Sequence, residues 1–75
     1  MTAQGDQGMN VTVKQRQSGC WQAWIAVTTP AGARYFSESG DTRTAALLSL
    51  RQALRPYRGD GYDQARAAIL EQALA

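Results

Sequence analysis

Three segments in the first half of the chain alternate apolar and polar residues with the period of two that is typical of a half-buried β-strand. They cover residues 9–17, 21–29 and about 33–37. Short turns separate them at residues 18–19 and at residues 29–32, where glycine and proline favour tight turns. Three consecutive strands with short connections predict an antiparallel meander.

The second half of the chain carries apolar residues at helical spacing. Asp41 or Thr42 can start a first helix as N-cap, and Pro56 ends that helix near Arg55. A second helix is expected after a glycine-rich turn, with Asp60 as its N-cap. The apolar stripes that should cover the sheet are Ala46, Leu47, Leu50, Ala53 and Leu54 in the first helix and Tyr62, Ala65, Ile69 and Ala73 in the second. The predicted fold is therefore α+β, a three-stranded antiparallel sheet followed by two helices in the order β-β-β-α-α.

The two turns determine which strand residues face the core. A two-residue loop at residues 30–31 sets Ile25 opposite Phe36, and a three-residue loop at residues 18–20 sets Val13 opposite Ile25. A slip of one residue in the first turn would move the valines to the other face. The preferred inner face consists of Val11, Val13, Trp21, Ile25, Val27 and Phe36, and the outer face carries Lys14, Arg16, Trp24 and Tyr35.

The length of 75 residues fits one small domain, which we expect to span residues 9–75 after a disordered tail at residues 1–8. The single cysteine, Cys20, cannot form an internal disulfide, which favours a cytoplasmic location. No apolar run approaches the roughly 20 residues of a membrane helix, and the tail lacks the pattern of a signal peptide. We therefore expect no membrane partner.

The absence of histidine from the sequence excludes Ser-His-Asp and Cys-His nucleophile systems and most zinc sites. The carboxylates are scattered, and no glycine-rich phosphate loop of the right spacing is present. We expect neither an enzyme nor a cofactor or metal site. Any function then depends on surfaces that bind a partner.

The first helix offers one such surface. Eight basic and six acidic residues leave a net charge of +2, and four arginines but no acid lie between Thr42 and Gly59. The candidate partner-binding residues on the side away from the apolar stripe are Leu48, Arg51, Arg55 and Arg58. The alternative is that Leu48 packs under the second helix while the arginines are merely solvated.

The outer face of the sheet offers a second surface. Trp24 and Tyr35 beside Lys14 and Arg16, with Arg34 as a further cation, combine aromatic rings with positive charge. Proteins that bind nucleic acids stack such rings on bases and place such cations on phosphates. The alternative is that the C-terminal helix covers this face and makes Trp24 part of a second core layer.

The run "GDTR" at residues 40–43 is followed by alanines and leucines at residues 46–47 and 53–54, with Tyr57 beyond them, and "GCWQAWIAV" precedes it at residues 19–27. This pattern resembles the strand-to-helix junction of HicB-type antitoxins and related HicB-like domains, although Ala45 stands where that family has glutamate. The resemblance covers residues 19–57. It implies a β-β-β-α core that binds a partner protein, such as the HicA toxin.

Two other families share this outline. The segment "SGCWQAWIAVTTPAGARYF" is similar to the arm-site-binding domains of phage-type integrases, and the last strand and first helix are similar to double-stranded RNA-binding domains. We therefore predict a small binding protein, antitoxin-like or an inhibitor or regulator of phage or plasmid type, whose partner is another protein. The alternative hypothesis is a module that binds DNA or RNA through the outer sheet face.

Overall fold

The computed structural model describes residues 11–75. Its strands are β1 (Val11–Gln15), β2 (Trp21–Thr29) and β3 (Gly32–Gly40), and its helices are α1 (Arg43–Ala53) and α2 (Asp60–Leu74). The sheet is antiparallel with strand order β1-β2-β3, so the predicted α+β fold with the order β-β-β-α-α is confirmed. The third strand is longer than predicted, while the predicted tail and the first residues of the predicted first strand lie outside the described residues.

The turn between β1 and β2 differs from the prediction. Its loop is residues 17–19, closed by a hydrogen bond from the Arg16 amide to the Cys20 carbonyl at 2.7 Å. Val13 consequently pairs with Ala23 and not with Ile25, which pairs with Val11. The positive φ of Gly19, 98°, fits the third position of a three-residue loop, where left-handed backbone is required. The shift of two residues leaves every side chain on its predicted face.

The turn between β2 and β3 has the predicted two-residue loop. Ile25 pairs with Phe36 and Ala26 pairs with Tyr35, as expected. The Thr29 hydroxyl stabilises the turn because it accepts from the Ala31 amide at 3.2 Å and donates to the Gly32 carbonyl at 2.7 Å.

The helix ends follow from local capping. Thr42, one of the two expected caps, accepts a hydrogen bond from the Ala45 amide on its Oγ1 at 3.0 Å. Helix α1 has Leu54 as its C-cap, close to the end that Pro56 predicts. The expectation for α2 was wrong by one residue: Gly59, with φ of 125°, is the N-cap, and Asp60 is the first helical residue.

Both helices pack on the same face of the sheet. Buried residues of β2, α1 and α2 form one core: Ala23, Ile25, Val27, Ala46, Leu47, Leu50, Leu54, Tyr62, Ala65, Ile69 and Ala73. The inner-face residues Val11, Val13, Trp21 and Phe36 pack against it and are partly buried, as predicted. No helix between residues 11 and 75 is long and apolar enough to cross a membrane.

Candidate functional site

Four arginines meet in one cleft between the end of α1 and α2. The cleft has a volume of about 430 Å³ and is lined by Arg51, Gln52, Arg55, Arg58 and Arg66. We call it the arginine cleft. The structure thus brings together the three arginines predicted as a cluster, and it includes Arg58 although α1 stops before Pro56. Sequence reasoning missed Arg66, which comes from the other helix.

Hydrogen bonds to the backbone hold two of these arginines in place. Arg66 Nη1 donates to the carbonyl oxygens of Leu54 at 2.9 Å and Tyr57 at 2.8 Å, and its Nη2 donates to the carboxylate of Asp63. Arg58 Nη1 donates to the carbonyl oxygen of Arg55 at 3.0 Å. These carbonyls lie at and just beyond the end of α1, where helical carbonyls lack internal partners and attract cations.

The remaining charge in the arginine cleft is mostly uncompensated. Within residues 11–75 the only ion pair joins Arg66 to Asp63, whose side chain is 61% exposed. The Nε of Arg51 is buried and has no hydrogen-bond partner among residues 11–75. Several guanidinium groups that converge with one carboxylate among them can bind a carboxylate or another oxyanion, since their planar forks match its oxygens.

Leu48 lies beside the arginine cleft and not among the arginines. It is 44% exposed and, together with Glu38, Ser49, Gln52 and Ala53, it lines a neighbouring cleft of about 510 Å³ between α1 and β3, here called the Leu48 cleft. Gln52 lines both clefts. The alternative that Leu48 packs under α2 is therefore wrong, because the side chain is 44% exposed and the cleft that it lines contains no residue of α2.

The outer sheet face is open. Tyr35 is 79% exposed, and Trp24 is half-buried within a shallow cleft of about 670 Å³ that also involves Lys14 and Arg16. The alternative in which the C-terminal helix covers Trp24 is wrong, because α2 buries its apolar residues against the inner face. Every outer-face residue of the three strands is uncharged or basic: Thr12, Lys14, Gln22, Trp24, Ala26, Thr28, Ala33, Tyr35, Ser37 and Ser39.

Of the two predicted arginines of this face, Arg16 lies on it and Arg34 does not. Arg16 donates to the side-chain oxygen of Gln22, which fixes it at the end of the β1–β2 hairpin. Arg34 lies on the inner-face side instead, with its guanidinium carbon 5.8 Å from the ring centre of Phe36 and 5.6 Å from that of Tyr57. The suggestion that Arg34 adds charge beside Trp24 is therefore wrong, because side chains alternate along β3.

Two further kinds of group are the cysteine thiol and possible metal ligands. Cys20 is an exposed free thiol in the β1–β2 turn. Within residues 11–75 no group of three histidine, cysteine or acidic residues is placed to hold a metal ion. The chain matches no protein-family model, no curated protein and no solved structure.

Proposed function

We infer that this chain is a small non-catalytic binding protein that acts on another protein through the outer side of α1. The observation that carries the proposal is the 44% exposure of Leu48, which lines the Leu48 cleft; that cleft shares Gln52 with the arginine cleft. An exposed apolar side chain in a cleft is a natural contact for a partner's apolar group, since burying it on association releases water. The role is that of an antitoxin-like inhibitor or regulator in the cytoplasm.

The charge beside Leu48 specifies the chemistry of the partner. Arg55 and Arg58 are exposed at the rim of the arginine cleft, and the structure gives neither an ion pair within residues 11–75. An acidic segment of the partner that enters this cleft would gain charge-assisted hydrogen bonds. Arginine is also among the residues that contribute most at protein interfaces. An acidic protein surface with one apolar side chain beside its carboxylates therefore fits the outer side of α1.

The resemblance to HicB-like domains supports the same class of function. It implies a β-β-β-α core that binds a partner protein, and β1 to α1 have that order. Fold alone does not determine function, and the exposed side chains of α1 are what a partner would contact. Leu48, Arg51, Arg55 and Arg58 remain the proposed contacts.

Affinity capture from a lysate of the source cells tests the proposal. We expect the tagged chain to retain a protein that is lost with Leu48→Asp and with the double variant Arg55→Glu/Arg58→Glu. Leu74→Asp is the matched control for the apolar position, because Leu74 is 78% exposed at the end of α2. Lys14→Glu is the charge control on the opposite face of the molecule. A partner retained by all four variants would contradict the proposed surface.

A second candidate function is nucleic-acid binding through the outer sheet face. The observation that favours it is the packing of both helices on the other face, which leaves the outer face uncovered, with Trp24 in one cleft with Lys14 and with Tyr35 79% exposed elsewhere on the same face. Exposed rings can stack on bases, and the outer face of β1, β2 and β3, as described from residue 11 onward, carries no carboxylate that would repel phosphates. The hydroxyl groups of threonines and serines on the same face can donate to phosphate oxygens.

Fluorescence anisotropy with labelled single- and double-stranded DNA and RNA separates the two candidates. Binding through the sheet face should weaken with Tyr35→Ser and with Lys14→Glu, fall steeply as salt rises, and be unaffected by Leu48→Asp. If none of these nucleic acids binds at about 50 mM salt, the second candidate is eliminated.

A further inference from the structure

Strand β3 is one of the two edge strands of the sheet, the other being β1. Within residues 11–75 the strand order β1-β2-β3 leaves one side of β3 without a neighbouring strand. Seven of its nine residues are exposed, and only Phe36 and Gly40 are partly covered. The backbone N–H and C=O groups along such an edge are available to pair with another strand. Unlike many edge strands, β3 contains neither a lysine nor a proline.

The charges of β3 are arranged symmetrically about its central residue. Phe36 is the fifth of the nine residues Gly32–Gly40, with Arg34 two positions before it and Glu38 two positions after it. The three side chains share one face because side chains alternate along a strand. When two such strands pair antiparallel about Phe36, Arg34 of each copy stands opposite Glu38 of the other copy. All nine residues of both strands are then paired.

Only this register places each charged residue of β3 opposite a residue of opposite charge in the second copy. A shift of two residues sets a charged residue of one copy opposite Phe36 of the other. A shift of four residues sets Arg34 opposite Arg34 or Glu38 opposite Glu38, and like charges directly opposite each other are destabilising. A shift of one residue would turn the helices of the two copies to opposite faces of the sheet. The sequence of β3 is therefore complementary to itself in one register only.

We propose that β3 pairs with β3 of a second copy to form a symmetric dimer with a continuous six-stranded sheet. The contact is the same patch on both subunits, as two-fold symmetry requires. Glu38 is exposed on β3, so its carboxylate is available to pair with Arg34 of the second copy. The inference goes beyond the proposed function, because Arg34, Phe36 and Glu38 are not among the residues assigned to partner binding.

Sedimentation equilibrium over a range of concentrations tests the proposal. The chain of 8.1 kDa is expected to have twice that mass at about 100 µM and to dissociate on dilution. Arg34→Glu and Glu38→Arg should each raise the dissociation constant at least about tenfold, because each creates two like-charge pairs across the dimer. A reductant must be present, since an exposed Cys20 could otherwise link two chains covalently.

The decisive experiment measures the association of the two variants after they are mixed. One copy with Arg34→Glu has acids at both positions, and one copy with Glu38→Arg has arginines at both. Each acid of the first copy stands opposite an arginine of the second, so the mixture should form a heterodimer with an affinity near that of the unaltered chain. A loss of dimer through misfolding would not be reversed by mixing, and circular dichroism of each variant alone confirms its fold.

Glu71→Arg and Lys14→Glu serve as controls, because both positions are exposed and lie away from the β3 edge. They should leave the dissociation constant within about twofold. The proposal is overturned if the unaltered chain remains a monomer up to about 1 mM. It is equally overturned if the mixture of the two charge variants associates no better than either variant alone.

Discussion

Arg66 of α2 caps the C-terminal end of α1: its Nη1 lies 2.9 Å from the carbonyl oxygen of Leu54, the C-cap residue of α1. The same nitrogen reaches the Tyr57 carbonyl at 2.8 Å. At the opposite end of the helix pair, Arg43 donates to the backbone and side-chain oxygens of Gln72 at 3.1 and 3.0 Å. The two helices are therefore joined at both ends by an arginine from one to carbonyl groups of the other.

Replacing Arg66 by methionine should lower the free energy of unfolding by about 1–3 kcal/mol, because two carbonyl oxygens lose a charged donor. The methionine keeps the apolar part of a side chain that is 18% exposed. Urea denaturation measures the change. Arg58→Met is the control, since Arg58 is exposed and makes one hydrogen bond to a neighbouring carbonyl; its effect should stay below about 0.5 kcal/mol. Equal effects of the two variants would contradict a capping role for Arg66.

The strand faces could be predicted from sequence, whereas the pairing of β1 required the geometry of its turn. Alternation assigns Val13 and Ile25 to one face in either register, so it cannot distinguish registers that differ by two residues. Gly19 carries the missing information, since a three-residue loop needs left-handed backbone at its third position. Applied strictly, that rule places the loop at residues 17–19.

The exposure of Leu48 and the role of Arg66 could not be predicted from periodicity, because both depend on how the helices lie relative to each other. The apolar stripes predict that both helices pack against a hydrophobic core, but they do not specify that both cover the same face of the sheet. The carbonyl oxygens that Arg66 contacts belong to Leu54 and Tyr57, whereas the N–H that Pro56 lacks would serve a carbonyl of the preceding turn, so Pro56 gave no signal for Arg66.

Thr42→Ala should destabilise the chain by about 1 kcal/mol, because the Ala45 amide loses its acceptor at the start of α1. Thr42→Asp should retain most of the stability, since aspartate is an equally good N-cap. Thermal unfolding followed by circular dichroism gives the comparison. Asp41→Ala is the control for the other residue that the sequence offers as a cap. If Asp41→Ala costs more than Thr42→Ala, the cap assignment is incorrect.

Gly61→Ala should destabilise the chain although alanine favours helices. A Cβ at Gly61 would collide with the carbonyl oxygen of Thr28 and lie 3.4 Å from Cγ1 of Val27, so α2 would have to move away from β2. We expect a loss of about 1–3 kcal/mol in the free energy of unfolding, as for other overpacked sites. The control is Gln64→Ala, an exposed position in the same helix that should change stability by less than about 0.5 kcal/mol. An increase in stability with Gly61→Ala would show that α2 and β2 leave room for a Cβ at this position.

Leu48 and Leu50 should differ strongly in how much stability the same change to alanine removes. Leu50 is fully buried, so Leu50→Ala removes core contacts and leaves a cavity, at a cost of about 2–5 kcal/mol. Leu48→Ala should cost less than about 1 kcal/mol, because the side chain is 44% exposed and alanine has the higher helix propensity. Urea denaturation of both variants tests the difference. A Leu48→Ala loss close to that of Leu50→Ala would mean that Leu48 belongs to the core, and the proposed partner surface on α1 would lose its apolar contact.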